Sequence, residues 1–261
     1  MIEFFTYWYL LPVGIIISFI YTSTGISGAN FWAPVYLLWL RLEPSIGFWL
    51  SLVSMLFGSI SGLISHTKQK SIMYDIAKKY LIITIPLAII GVLVSPYFKE
   101  FYLFLIFGIF IITYAIIMCY KTCRPSTKDI EKHEKIHYLF GAIGGFLTGL
   151  VSVGLGKLIL PQCVQHKKCL THVEAVGTTL LVVFITSIFA VITRLNSSFV
   201  ESLIANRTII LSILLYVIPG VLIGGQLGPR LIKNVNLDKM GRYVPAVLML
   251  VGMLMLLRAF F

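Results

Sequence analysis

A single lysine sits where charge is expensive. Residues 138–165 form an apolar run whose only Lys, Arg, Asp or Glu is Lys157. A charge near the middle of a hydrocarbon layer costs at least about 2.5–3.5 kcal/mol on insertion scales, so such a residue should face protein, water or a ligand. An ammonium held there is a fixed point for an anion. Just before it the chain reads Thr148-Gly-Leu-Val-Ser-Val-Gly-Leu-Gly156, with a hydroxyl at Ser152. A second run, 4–40, has no formal charge and a similar small, polar middle, Tyr21-Thr-Ser-Thr-Gly-Ile-Ser-Gly-Ala-Asn30. Its Thr22, Ser23, Thr24 and Ser27 can donate hydrogen bonds to oxyanion oxygens, with Asn30 beside them. Ser51, Ser54, Thr178 and Thr179, on the segments that follow, could close the same site. Each hydroxyl has an ordinary alternative, a bond back to a carbonyl of its own helix. Glu174, at the entry to a later apolar run, reads as a proton carrier for coupling or as a helix N-terminal carboxylate.

A metal site needs a different set. Cys163-x2-His166-x2-Cys169-x2-His172 offers ligands suited to Zn²⁺ or Cu⁺. A three-residue period spreads four side chains roughly 300° around a helix, so a cage would need a loop. The ordinary reading, cysteines and histidines near an interface, is preferred, and neither metal nor cofactor is expected. Cys119 and Cys123 end a span one turn apart. His66, His133 and His137 fall in or beside basic loops and are expected to be solvated.

The elements that must position these residues are membrane helices. Of the 261 residues, 58% are hydrophobic and 12% charged, about half the charge of an ordinary soluble domain. The mean hydropathy is +0.95. Charge-free windows at 45–65, 80–98, 101–120, 175–193, 208–229 and 243–257 are mostly long enough to span a hydrocarbon core. An all-α, multi-pass protein of the cell membrane follows. A soluble enzyme, a secreted disulfide domain and a nucleic-acid binder are excluded as first readings, because the net charge of +11 fits basic cytoplasmic loops. The start Met1-Ile-Glu-Phe-Phe lacks the basic region of a cleaved signal peptide, so the first apolar run should be retained. Runs 4–40 and 138–165 each read as two short helices around an unwound break. The short helices after the breaks should begin near Asn30 and Lys157, with N-termini that favour an anion.

The two runs are copies. An offset of 127 places Gly14 on Gly141, Phe19 on Phe146, Ile26 on Val153, Ala29 on Gly156 and Pro34 on Pro161. At an offset of 133, Pro86-x4-Gly91-x4-Pro96 matches Pro219-x4-Gly224-x4-Pro229. The halves are therefore residues 1–120 and 138–261, joined by a polar cytoplasmic linker, 121–137. If each broken segment is a re-entrant hairpin, the loop and tail cations divide 15 to 5 between the two sides, with Arg41, Lys99, Arg194, Arg207 and Arg258 on the poorer side. If both segments crossed, the division would be 12 to 8, and the positive-inside rule prefers the first. Each half then holds three transmembrane helices plus a hairpin, and the odd count inverts the second copy. Both termini lie outside the cytoplasm on this reading.

Gly25-Ile-Ser-Gly-Ala-Asn-Phe-Trp-Ala-Pro34, Val153-Gly-Leu-Gly-Lys-Leu-Ile-Leu-Pro161 and Ala175-Val-Gly-Thr-Thr-Leu180, in a duplicated chain, resemble the TauE/SafE sulfite exporter family, anion permeases of the 4-toluene sulfonate uptake group. The resemblance covers essentially the whole chain. It implies transport of small sulfur-containing or organic anions such as sulfite, sulfoacetate or related sulfonates. Ser27, Ala29 and Asn30 in one break, and Leu155 and Lys157 in the other, depart from the family's more glycine-rich pattern and bear on which anion is carried. A secondary transporter with the anion near the midplane between the breaks is the leading expectation. An anion channel is the alternative, and an intramembrane enzyme a weaker one, since no His-Glu-x-x-His or Gly-x-Ser-x-Gly is present. No P-loop is present to make ATP the direct driver. The expected partners are a small anionic substrate and the lipid bilayer, with homo-oligomerisation left open and no nucleic acid.

Overall fold

The computed structural model describes residues 6–24, 26–123, 137–167, 171–231 and 237–260, and every regular element among them is helical. The first apolar run forms α1 (Leu10–Thr24) and the short α2 (Ala29–Pro34), which relaxes at Pro34 into a π-turn, Val35–Trp39. Three long helices follow: α3 (Pro44–Lys68), α4 (Tyr74–Val94) and α5 (Glu100–Cys123). The second broken run is α6 (Tyr138–Val151) and α7 (Leu155–Gln165), followed by the long α8 (His172–Thr193). A nine-residue helix, α9 (Ser197–Ala205), leads into α10 (Arg207–Leu231) and α11 (Leu237–Phe260).

Six helices among the described residues are long and apolar enough to cross a membrane, and they coincide with the six charge-free windows. The chain is a polytopic membrane protein. Its outer faces carry large apolar side chains, among them Ile82, Leu93, Leu211 and Leu250, as a lipid-facing surface requires.

Packing exchanges partners between the two ends of the sequence. The first helix of one broken run, α1, lies on α10, while that of the other, α6, lies on α4. Helix α5 pairs with α11, and α3 meets α8 at the centre. Glycines allow the first two contacts, because small residues let helix backbones approach closely where lipid gives no hydrophobic drive. A Cβ at Gly224 would strike the Ile15 carbonyl, and one at Gly91 the Phe146 carbonyl. A Cβ at Gly145 would stand 2.6 Å from the Thr84 carbonyl oxygen. The small faces of Gly58, Gly62 and Gly224-Gly225 are packing surfaces. Hydroxyls pin the first of these seams and two others: Ser18 donates to the Val221 carbonyl at 2.7 Å between α1 and α10, Ser61 of α3 to that of Leu222 of α10 at 2.8 Å, and Thr84 of α4 and Thr186 of α8 share a bond of 2.8 Å.

Candidate functional site at the two helix breaks

Both breaks arise from local chemistry. In α1, Thr22, Ser23 and Thr24 turn their hydroxyls back onto the carbonyls of Ser18, Phe19 and Ile20 at 2.7–2.8 Å. Such back-bonding weakens the i→i−4 ladder where the chain is about to leave the helix. Helix α6 closes differently. Ser152 takes the left-handed conformation at φ 60°, and its N–H returns to the carbonyls of Leu147 and Thr148. Gly154, at φ 113°, then turns the chain into α7 in a conformation that glycine alone adopts cheaply.

One helix passes both breaks. Ser152 Oγ donates to the Phe48 carbonyl at 2.9 Å, and Ser27 Oγ contacts Met55 Sδ at 3.1 Å. Tyr21 Oη donates to the Met55 carbonyl at 2.8 Å. Phe48 and Met55 are two turns apart on α3, about 10 Å at 1.5 Å per residue. The breaks therefore lie beside one another on a common helix, offset along its axis. Between them stand Ser51, which donates to the Gly47 carbonyl at 2.7 Å, and Ser54, bonded to Tyr36 Oη at 2.6 Å. Across from α3, Thr178 of α8 accepts the Met73 N–H at 2.9 Å, and the neighbouring Thr179 hydroxyl is buried without a partner.

At the sequence offset of 127 Asn30 falls on Lys157, and each lies in the first turn of the helix after its break. Both are buried, and each keeps a polar atom with no hydrogen bond. Asn30 spends its amide N–H on the Ser27 carbonyl at 2.8 Å and leaves Oδ1 unpartnered. Lys157 is 1% exposed, and its Nζ has no hydrogen-bond partner. It lies 4.9 Å from the ring centre of Tyr114 and 6.0 Å from that of Phe110, both on α5. Aromatic faces attract a cation but give it no hydrogen-bond acceptor.

The remaining expectations fall out as follows. Glu174 accepts the Thr171 N–H at 3.1 Å, and Thr171 Oγ1 accepts the Glu174 N–H at 3.2 Å, a reciprocal capping box at the head of α8. Among the described residues no three His, Cys, Asp or Glu side chains gather as a metal site. Cys169, His133 and the side chain of Cys123 lie outside the described residues. His137 is exposed as expected, but His66 is not solvated. It is 1% exposed, with Nδ1 bonded to Ser71 Oγ at 2.9 Å, because the α3–α4 turn folds the ring against α8 at Gly177.

A second residue escaped the sequence reading. Arg194, counted there as a loop cation, is buried, and burial lowers its pKa only to about 10, so it remains a cation. Its Nη2 donates to the carbonyls of Gly149 and Leu150 at 2.8 and 3.0 Å, and Nη1 reaches the Ser45 carbonyl at 3.5 Å. These are the C-terminal carbonyls of α6, immediately before the break. Arg194 also lines a cavity of about 410 Å³ with Ser45, Ser95, Glu100, Asn196 and Ser202. The available signal was positional, since the internal repeat carries His66 to within one position of Arg194.

A family model described as "Sulfite exporter TauE/SafE" matches residues 10–255. The chain belongs to the TauE/SafE sulfite exporter family. Similar proteins include the "Probable membrane transporter protein YjnA" of Bacillus subtilis (strain 168), 28% identical over 239 residues, which cover 85% of this chain and 90% of that one. The "Probable membrane transporter protein MJ0441" of Methanocaldococcus jannaschii is 27% identical over 255 residues, covering 95% and 94%. The "Probable membrane transporter protein YunE" of Bacillus subtilis (strain 168) is 24% identical over 268 residues, covering 93% and 94%. No solved structure gives a significant match.

Proposed function

We propose that this TauE/SafE member is a secondary transporter for small sulfur-containing or organic anions, such as sulfite, sulfoacetate or related sulfonates. The anion is held between the two helix breaks during alternating access. The observation that carries this reading is Lys157: a buried side-chain nitrogen with no hydrogen-bond partner, in the first turn of α7. An uncompensated charge in that position is costly unless a counter-ion arrives. No side chain caps the start of α7, and the dipole of this eleven-residue helix adds positive potential at the same end. Thr179 can add a hydroxyl. Asn30 Oδ1 supplies an acceptor for a protonated oxyanion. The hydroxyls of Thr22, Ser23, Thr24 and Ser51 reach an anion only by releasing their own helix carbonyls.

The exchange of partners, α1 on α10 and α6 on α4, supports treating residues 1–120 and 138–261 as inverted repeats joined by a cytoplasmic linker. The site then lies where the repeats meet, and rocking one against the other exposes it to either side. Membership of an exporter family and relatives named as probable membrane transporters support the same class.

The test is counterflow of radiolabelled sulfite into proteoliposomes, competed by sulfoacetate, thiosulfate, sulfate and carboxylates. Saturable counterflow that is lost in Lys157→Met is the expected result. Normal counterflow in Lys157→Met, at both saturating and low substrate, overturns the assignment of Lys157. Flux that does not saturate and shows no counterflow points to a channel.

A further inference from the structure

The second half carries an element that the first lacks. Residues 69–73 join α3 to α4, whereas the longer segment 194–206 joins α8 to α10, their counterparts in the repeat. The extra length folds as α9, which walls a cavity of about 410 Å³ through Ser198, Phe199 and Ser202. Phe199 is held there edge-on to Trp49, with ring centres 5.9 Å apart. The cavity also reaches Arg194 and Phe48. Since the Phe48 carbonyl accepts the Ser152 hydroxyl at 2.9 Å, the cavity ends against the second break.

Arg194 is not saturated by the carbonyls it holds. A guanidinium has five N–H groups, and the bonds to Gly149, Leu150 and Ser45 use at most three of them. Among the described residues no carboxylate pairs with Arg194, so a cation only 8% exposed lines the cavity without a counter-ion. Asn196 lines it too. Its Oδ1 is spent on the Phe199 N–H at 2.8 Å and the Ser198 hydroxyl at 3.0 Å, and its amide N–H groups are unspent. Two acids, Glu43 and Glu100, complete the charges of the lining, and both are exposed. The cation therefore lies deep and the carboxylates at the mouth. Arg41, Lys99 and Arg207 belong to the same end of the bundle but do not line the cavity.

We propose that this cavity is an antechamber site for the transported anion, and that it admits singly charged anions in preference to doubly charged ones. One negative group is met by the spare N–H groups of Arg194 and the Asn196 amide, while water at the mouth screens the carboxylates. A second negative group finds no further cation in the lining and meets the field of Glu43 and Glu100. Phe48, Leu103 and Phe199 give the organic part of a sulfonate an apolar wall. At about 30 Å³ per water the volume holds roughly a dozen waters, so the anion enters with much of its hydration. The inference rests on the transporter reading and narrows it. Hydrogen sulfite and monosulfonates are favoured, and sulfoacetate, with a carboxylate besides its sulfonate, is held back.

The experiment uses the full chain in phosphatidylcholine liposomes, cysteine-free apart from Ser202→Cys on the cavity wall. Labelling by a small neutral maleimide is followed with ethanesulfonate and with 1,2-ethanedisulfonate, which doubles the charge on the same chemistry, at equal ionic strength. Ethanesulfonate should slow labelling about tenfold at saturation, and the disulfonate should need about tenfold more for the same protection. Glu43→Gln with Glu100→Gln, both exposed, should bring the two anions within about twofold of each other. Arg194→Leu should lose the protection and Arg194→Lys, which keeps the charge, should retain most of it. No protection in the parent, or protection retained in Arg194→Leu, overturns the site. Equal potency of the two anions in the parent, or a tenfold difference surviving the double glutamine variant, overturns the charge selection. Protection that appears without added anion once phosphatidylglycerol is included gives the cavity to a lipid headgroup and overturns the proposal. Protection retained in Lys157→Met marks a site separate from the break, and its loss there overturns that separation. If no anion shows counterflow while protection and its charge selection hold, the transporter reading falls and the monoanion site stands.

Discussion

Replacing Arg194 should loosen the second break by a measurable amount. One nitrogen, Nη2, serves two carbonyls at 2.8 and 3.0 Å, and the third contact, from Nη1 to Ser45 at 3.5 Å, is at the limit of a hydrogen bond. Bonds to a charged donor are worth about 1.5–3 kcal/mol each. Two would give about 3–6 kcal/mol, but the cavity beside Arg194 can supply water to the stranded carbonyls, which favours the lower end. About 3 kcal/mol corresponds to a change of roughly 100-fold in the equilibrium between closed and open break. Ser152 is fully buried against Phe48, so a cysteine there reports that opening. In a chain otherwise free of cysteine, Ser152→Cys should be labelled by a small maleimide about 100-fold faster in Arg194→Leu. Arg194→Lys, which keeps the charge but loses the fixed direction of the guanidinium N–H bonds, should fall between, at about tenfold. A labelling rate in Arg194→Leu within twofold of the parent would refute this role for Arg194.

Two further outcomes follow from the geometry. Thr171→Ala removes one arm of the capping box on α8 and should cost about 1 kcal/mol, seen as a lower melting temperature in detergent, with the substrate concentration for half-maximal counterflow unchanged. A large rise in that concentration would mean that the head of α8 touches the substrate. Gly145→Ala places a methyl 2.6 Å from the Thr84 carbonyl oxygen and must spread α4 and α6, at about 1–3 kcal/mol. An unchanged melting temperature would show that this seam is looser than described.

The membrane helices were legible because charge stops hydrophobic windows where helices leave the hydrocarbon. The last window, 243–257, fell short of α11 (Leu237–Phe260) for the same reason, since that helix carries Asp238, Lys239 and Arg242 in its first turns. The breaks were legible as small, polar stretches. Their limits were not, since Ser152 entering the left-handed region is a matter of backbone closure rather than composition. Lys157 could be singled out because a lone charge in an apolar run is costly wherever it points. His66 and Arg194 could not. Each lies at the end of a span, where a loop cation is the ordinary reading, and its burial is decided by a distant segment: Gly177 for the one, Gly149 and Leu150 for the other. Glu174 had two readings in the sequence, and the Thr171 hydroxyl places it in a cap.

The exchanged glycine seams set a timetable for synthesis. Helix α6 finds α4 already made, since Gly91 precedes the Phe146 carbonyl that it meets. Helix α1 must wait for α10, because Gly14 packs against Gly220, near the far end of the chain. At ordinary elongation rates of about 5–20 residues per second, the wait from Gly14 to Gly220 is roughly 10–40 s, during which the Gly14 face of α1 lacks its partner helix. Chains truncated before α10 carry α1 without its partner. The two halves expressed as separate polypeptides should accumulate only when made together.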